Sequence, residues 1–387
     1  MSDKNISGAA SYEQLDSTRL KSVHSKLAVA EEDAYYNEAS INNYGYEIDT
    51  EEGYPYPEEC EEGFKFCKSK KKPYVQRSRS ILEEDAFPEI VLTAAEARKC
   101  LNRIGQVGSG LIYAFVQIDI DHRSLTNIEE IINFKYLSFI NVSHNNLSLD
   151  ALDVLRELEY VVVVRADHNN VDSLCLSPMP YLQVLTLNSN RVSSLSGLKQ
   201  PSLECLELND NNISSLFQVS SRKYNKNYCN EEIACPNLST LALSRNALDT
   251  VEEFVILSNQ LRILYLSYNK ITKLNGLGDL QNLSRLHLRG NQISDLDGFT
   301  DNLKYLSYLN LRENRLSDVE ELNKLVCLKS LKTLVVSDNN FSNISIRSKV
   351  LKLLPWLERI DKGTVSKAEY ESEKIDENED QEDEEEE

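Results

Sequence analysis

Residues 261–293 read LRILYLSYNKITKLNGLGDLQNLSRLHLRGNQI. One phrase, L-x-x-L-x-L-x-x-N-x-L, appears in it twice, at 261–271 and again at 283–293. Outward from there the phrase continues in both directions. LSTLALSRNAL (238–248), LECLELNDNNI (203–213), LQVLTLNSNRV (182–192), a copy ending in VVVRADHNNV at Val171 and LSFINVSHNNL (137–147) lie upstream, and a degenerate FVQIDIDHRSL (115–125) begins the series. LSYLNLRENRL (306–316) and LKTLVVSDNNF (331–341) lie downstream, making ten copies.

The spacing has a mechanical meaning. Alternation at Leu-x-Leu puts two apolar side chains on one face of a short strand while the residues between them face out. Nine copies then carry Asn at the ninth position: Asn145, Asn169, Asn190, Asn211, Asn246, Asn269, Asn291, Asn314 and Asn339. An amide side chain has both donors and an acceptor, so an inward Asn satisfies turn backbone where a leucine could not, and stacked copies form a ladder. A single repeat cannot bury its apolar face, so neighbours must stack. The fold class expected is an α/β leucine-rich-repeat solenoid of about ten short repeats over 115–345. Its parallel sheet is concave, and the short second halves, such as ITKLNGLGDLQN (271–282), return through 3₁₀ or one-turn helices.

The flanks differ in kind. Thr93 followed by Glu96 within LTAAEARKCLNRI (92–104) is a capping-box spacing, which predicts a helical N-terminal cap over 87–114. LPWLERIDK closes the series in a C-terminal cap over 346–363. Residues 1–86 lack sustained periodicity and are expected to be disordered, with a basic island at 65–80; 218–232 is expected to be an inserted polar loop, and 364–387 a self-repelling disordered tail.

The net charge of −20 sits almost wholly in the ends, because residues 91–363 balance 29 Lys+Arg against 30 Asp+Glu. That distribution argues against general nucleic-acid binding. No run approaches a membrane span, and no phosphate loop, nucleophile elbow or metalloprotease helix appears, so the expectation is a non-enzymatic protein with no membrane, small-molecule, metal or cofactor partner. The eight cysteines are scattered and read as free thiols. Cys205, Cys229 and Cys235 lack the paired spacing of a zinc site. His122, His144 and His168 recur at the eighth position of the first three repeats, beside Asp121 and Asp167, where they are either a metal or pH-sensitive site or ordinary solvated residues. The partner-binding residues nominated are Arg245, Arg262, Tyr265, Tyr268, Arg285, His287, Arg289, Tyr308 and Arg312, a basic and aromatic end of the concave sheet, since Tyr and Arg are enriched at binding hot spots.

The runs VGSGLIYAFVQIDIDHRSLTNI (107–128), PYLQVLTL (180–187), LSRLHLRGNQI (283–293), YLNLR (308–312) and LPWLERIDK (354–362) together resemble the leucine-rich repeat-containing protein 23 family. That resemblance implies a structural component of the motile-cilium axoneme, in cytoplasm and cytoskeleton, held by other radial-spoke subunits, especially of the third spoke. The L-P-x-L-x-x-[LI]-D closure and acidic tail also resemble acidic leucine-rich nuclear phosphoproteins and phosphatase-1 regulators, which implies the alternative of a nuclear or phosphatase-regulating protein.

Overall fold

A computed structural model describes residues 89–107, 112–217, 233–257, 259–341, 346–366 and 369. The chain divides into two units, Met1–Ile81 and Leu82–Glu387, and the described residues all belong to the second. The expectations for 1–86, the basic island, the 218–232 insertion and most of the acidic tail lie outside the described residues.

Each copy of the phrase makes one three-residue strand, and the first makes a longer one. The series is β2 (Ile112–Asp119), β3 (Phe139–Asn141), β4 (Val163–Arg165), β5 (Val184–Thr186), β6 (Cys205–Glu207), β7 (Thr240–Ala242), β8 (Ile263–Tyr265), β9 (Arg285–His287), β10 (Tyr308–Asn310) and β11 (Thr333–Val335). These ten pair in sequence order, all parallel, with the fourth-position leucines in register, for example Leu264 against Leu286 and Leu309. Positions one, four, six and eleven of the phrase are buried in repeats two to nine; Leu261, Leu264, Leu266 and Ile271 are 0–1% exposed. Full burial of one such side chain contributes ~2 kcal/mol, and the repeats join a single continuous core. The opposite walls are short: 3₁₀ segments at Glu129–Asn133, Val154–Glu157, Glu252–Ile256, Leu277–Asp279 and Val319–Cys327, and helix α2 (Leu149–Asp153).

At the start the expected helix is shorter than its spacing suggested. Thr93 and Glu96 cap each other as anticipated, and α1 spans Ala94–Cys100 with Ala97 and Cys100 buried. Residues from Leu101 onward are strand β1 (Leu101–Val107), antiparallel to β2. The helical spacing of Leu101 and Ile104 misleads here, because the first repeat would otherwise leave the backbone of β2 without a partner, and pairing it outweighs another turn of helix.

At the far end α3 (Ile346–Leu353) leads to β12 (Arg359–Ile360), parallel to β11, and β13 (Gly363–Thr364), antiparallel to β12. Trp356 donates its indole N–H to the Leu328 carbonyl at 3.2 Å. Arg347 donates to the carbonyls of Ile360 (3.1 Å) and Thr364 (2.9 Å) and pairs with Glu369 at 2.5 Å. Thr364, Val365 and Glu369, read from sequence as tail, thus pack on the cap. One thiol reading also changes. Cys175 is disulfide-bonded, whereas Cys100, Cys205, Cys235 and Cys327 take part in no disulfide.

Candidate functional site on the concave sheet

All nine ladder asparagines point inward and bond alike. Asn269 is representative: its Nδ2 donates to the carbonyls of Leu243 (2.9 Å) and Leu266 (3.1 Å), and its Oδ1 accepts from the Leu248 N–H at 3.1 Å. Each Asn therefore ties its own repeat to the one before.

A second polar column, not anticipated, runs at the seventh position. Asp167 N–H donates to Ser143 Oγ, Asn188 N–H to Asp167 Oδ1, Asn209 N–H to Asn188 Oδ1 and Ser244 N–H to Asn209 Oδ1, at 3.2, 2.7, 2.8 and 2.8 Å. Its signal was present in the sequence as a recurring Ser, Asp or Asn two residues before the ladder Asn. Asn188 also donates to Glu207 at 2.9 Å, and Thr186 Oγ1 donates to Asp167 at 2.9 Å. Burial pushes the Asp167 and Glu207 carboxyls above the usual carboxylate range, against these hydrogen bonds and the pull of Arg165.

The eighth position is a column of left-handed backbone. His122, His144, His168, Ser189, Asp210, Arg245, Tyr268, Glu313 and Asp338 have φ between 53° and 59°, and Gly290 has 69°. Three imidazoles of this column stack: His122 on His144 at 4.0 Å between centroids, and His144 on His168 at 4.2 Å, with planes within 17°. Rings lying face to face do not converge on one ion, and among the described residues no group of three or more His, Cys, Asp or Glu is placed to hold a metal. Burial, then the His168 and His122 neighbours, push the His144 pKa down.

The nominated basic and aromatic cluster divides in two. Tyr265, Arg285, His287 and Tyr308 are on strands β8, β9 and β10. His287 stacks between Tyr265 (4.5 Å) and Tyr308 (4.7 Å), and burial, with Arg285 beside it, pushes its pKa down to about 3. It is a neutral ring in an aromatic row. Arg262 precedes β8, and Arg245, Tyr268, Arg289 and Arg312 lie in the turns beyond the strands. Three of these arginines meet acids of the same chain: Arg289 with Glu313 at 2.7 Å, Arg312 with Asp338 at 2.6 Å, and Arg245 with Asp210 at 3.8 Å. Tyr268 lies between the guanidiniums of Arg245 (5.7 Å) and Arg289 (5.5 Å), against Gly290, where a Cβ would come within 2.5 Å of its ring. The turn arginines thus build a neutralised ridge, and the outward-facing chemistry of this end is the row Tyr265–His287–Tyr308 with Arg285 and Arg262 along it.

A family model described as Leucine Rich repeats (2 copies) matches residues 259–305. Leucine-rich repeat-containing protein 23 of Homo sapiens is 34% identical over 168 residues, covering 38% of this chain and 49% of that protein. Its Xenopus tropicalis counterpart is 40% identical over 93 residues, 24% of this chain and 27% of that one. The match thus spans about half the length of the human relative. Among solved structures, the functional domain of InlJ from Listeria monocytogenes aligns with a TM-score of 0.46 at 21% identity, over 64% of this chain and 53% of that one. With its in-register strands and asparagine ladder, the chain is a leucine-rich-repeat solenoid similar in sequence to leucine-rich repeat-containing protein 23.

Proposed function

We propose that this chain is a protein–protein interaction scaffold of the motile-cilium axoneme, a radial-spoke component of the third spoke needed for ciliary and flagellar beating. The observation that carries the reading is the similarity to leucine-rich repeat-containing protein 23. The geometry supports a holding role: the strands present a continuous outward surface, and at repeats seven to nine that surface offers rigid aromatic area beside arginine donors. Its partners are other axonemal proteins, and it carries no catalytic step. Tagged protein in a ciliated cell tests this. It should label the axoneme and stay there after detergent extraction, and its loss should impair beating while cilia still assemble. Uniform soluble staining would overturn the reading, and nuclear staining with histone or phosphatase capture would favour the nuclear alternative.

A further inference from the structure

The two edges of the sheet are finished differently. At the last strand, β13 is two residues long and the Arg347 guanidinium covers the Thr364 carbonyl at 2.9 Å. At the first, β1 is seven residues long, and among the described residues nothing pairs with its outer side. Proteins usually blunt such an edge with charge, proline or a covering segment. The sequence LNRIGQV has no proline, and its one charge is turned aside: Arg103, at φ 49°, places its guanidinium 5.0 Å over the Phe139 ring. The adjoining hairpin is apolar. Ile104 (62%), Ile112 (50%), Tyr113 (67%) and Phe115 (43%) are exposed, and Ile104 and Phe115 are cross-strand partners.

We propose that β1 is a homodimerisation edge, pairing antiparallel with β1 of a second copy about a two-fold axis at Ile104. The strand is self-complementary in that register. Ile104 meets Ile104 of the second copy, which extends the Ile104–Phe115 row across four strands. Asn102 faces Gln106 of the second copy, amide against amide, and Leu101 faces Val107. Arg103, the one residue with left-handed backbone, faces Gly105, which has no side chain to obstruct it. No like charges meet, and a two-fold contact closes rather than polymerises. Of the four exposed apolar residues only Ile104 lies on the edge strand itself, so the contact is at or below the small end of specific interfaces and a weak dimer, at tens of micromolar, is expected. The result is one sheet running through both solenoids.

Sedimentation equilibrium of the full chain tests this. Wild type should show a concentration-dependent dimer below ~100 µM, and Ile104→Lys should weaken it at least ~10-fold while keeping the wild-type melting temperature. Ile104→Cys should form a cross-linked dimer on mild oxidation in excess of the wild-type background, because that residue meets itself on the axis, whereas Asn102→Cys should not. A wild-type chain that stays monomeric, or a dimer indifferent to Ile104→Lys, overturns the proposal. Monomers whose β1 amides are protected from hydrogen exchange would also overturn it, by showing that the chain covers its own edge.

Discussion

Replacing Asn269 with leucine raises hydrophobicity at a 6% exposed position and should nevertheless cost stability. The magnitude follows from which backbone groups lose a partner. The Leu243 carbonyl keeps the Asn246 amide at 3.1 Å, and the Leu266 carbonyl keeps the Asn291 amide at 2.9 Å. The Leu248 N–H is different. It donates to Asn269 Oδ1 at 3.1 Å, and Leu248 is 2% exposed. One buried N–H stripped of its acceptor costs ~1–3 kcal/mol, and the two lost carbonyl contacts contribute ~1 kcal/mol more, so the expected loss is ~2–4 kcal/mol. In a domain this size that lowers Tm by roughly 5–15 °C. Urea unfolding should show a lower midpoint with little change in slope, and hydrogen exchange should accelerate first at Leu248. Asn269→Ala separates the hydrogen bonds from overpacking and should lose a similar amount. An unchanged midpoint in both variants would refute the claim that the ladder amides, rather than the leucines alone, hold adjacent repeats together.

Three further outcomes are expected. His287 has a folded pKa pushed below its unfolded value, to about 3. Its stability contribution is therefore complete above pH ~6.5 and lost as pH falls from there towards 3, at up to ~1.4 kcal/mol per pH unit. Asp167 and Glu207, shifted upward, slope the other way, so chemical melts of wild type against His287→Phe isolate the histidine: the variant should lose less stability between pH 6 and 4, and parallel pH curves would rule the reading out. Among the arginines, Arg289→Glu should lower stability by ~1 kcal/mol or more, since it faces Glu313 in a half-buried pair, while Arg262→Glu should leave the melt unchanged; equal effects would contradict the division of the cluster. Ser189→Gly should be neutral or stabilising by up to ~1 kcal/mol and Ser189→Val destabilising by ~1–2 kcal/mol, because φ is 53° there, and equal stabilities would mean that the turn relaxes instead.

The parts of this molecule legible in its sequence are those where one side chain does one job in every repeat. Leucines at positions one, four and six declare the strands, and Asn at nine declares the ladder, because its short amide combines burial with donor and acceptor bonds to the turn backbone. The N-terminal hairpin was not legible, since Leu101 and Ile104 fit a helix locally and only the unpaired edge of β2 decides otherwise. Nor was the neutralisation of Arg289 and Arg312. It depends on Glu313 and Asp338 lying in the next turn along, a relation between repeats that position within a single repeat conceals.

The eighth column shows where this solenoid is free to vary. Left-handed backbone costs a non-glycine residue ~1–2 kcal/mol, and a column of such residues needs something that holds it. What holds it is main chain. The His144 N–H donates to the Asp167 carbonyl, Arg245 to Ser267, Tyr268 to Arg289 and Glu313 to Ser337, each reaching the seventh-position carbonyl of the next repeat at 2.7–3.1 Å. Because the backbone supplies the bond, the side chain is released from structural duty, and imidazole, guanidinium, phenol, carboxylate and glycine all occur at the same φ. Stacked at strand spacing, whatever is written there becomes a continuous ridge: three aligned imidazoles at one end, a phenol held between guanidiniums further on. Specificity can therefore change along this column without disturbing the leucines and asparagines beneath it, which is how a scaffold of fixed architecture acquires a distinct surface.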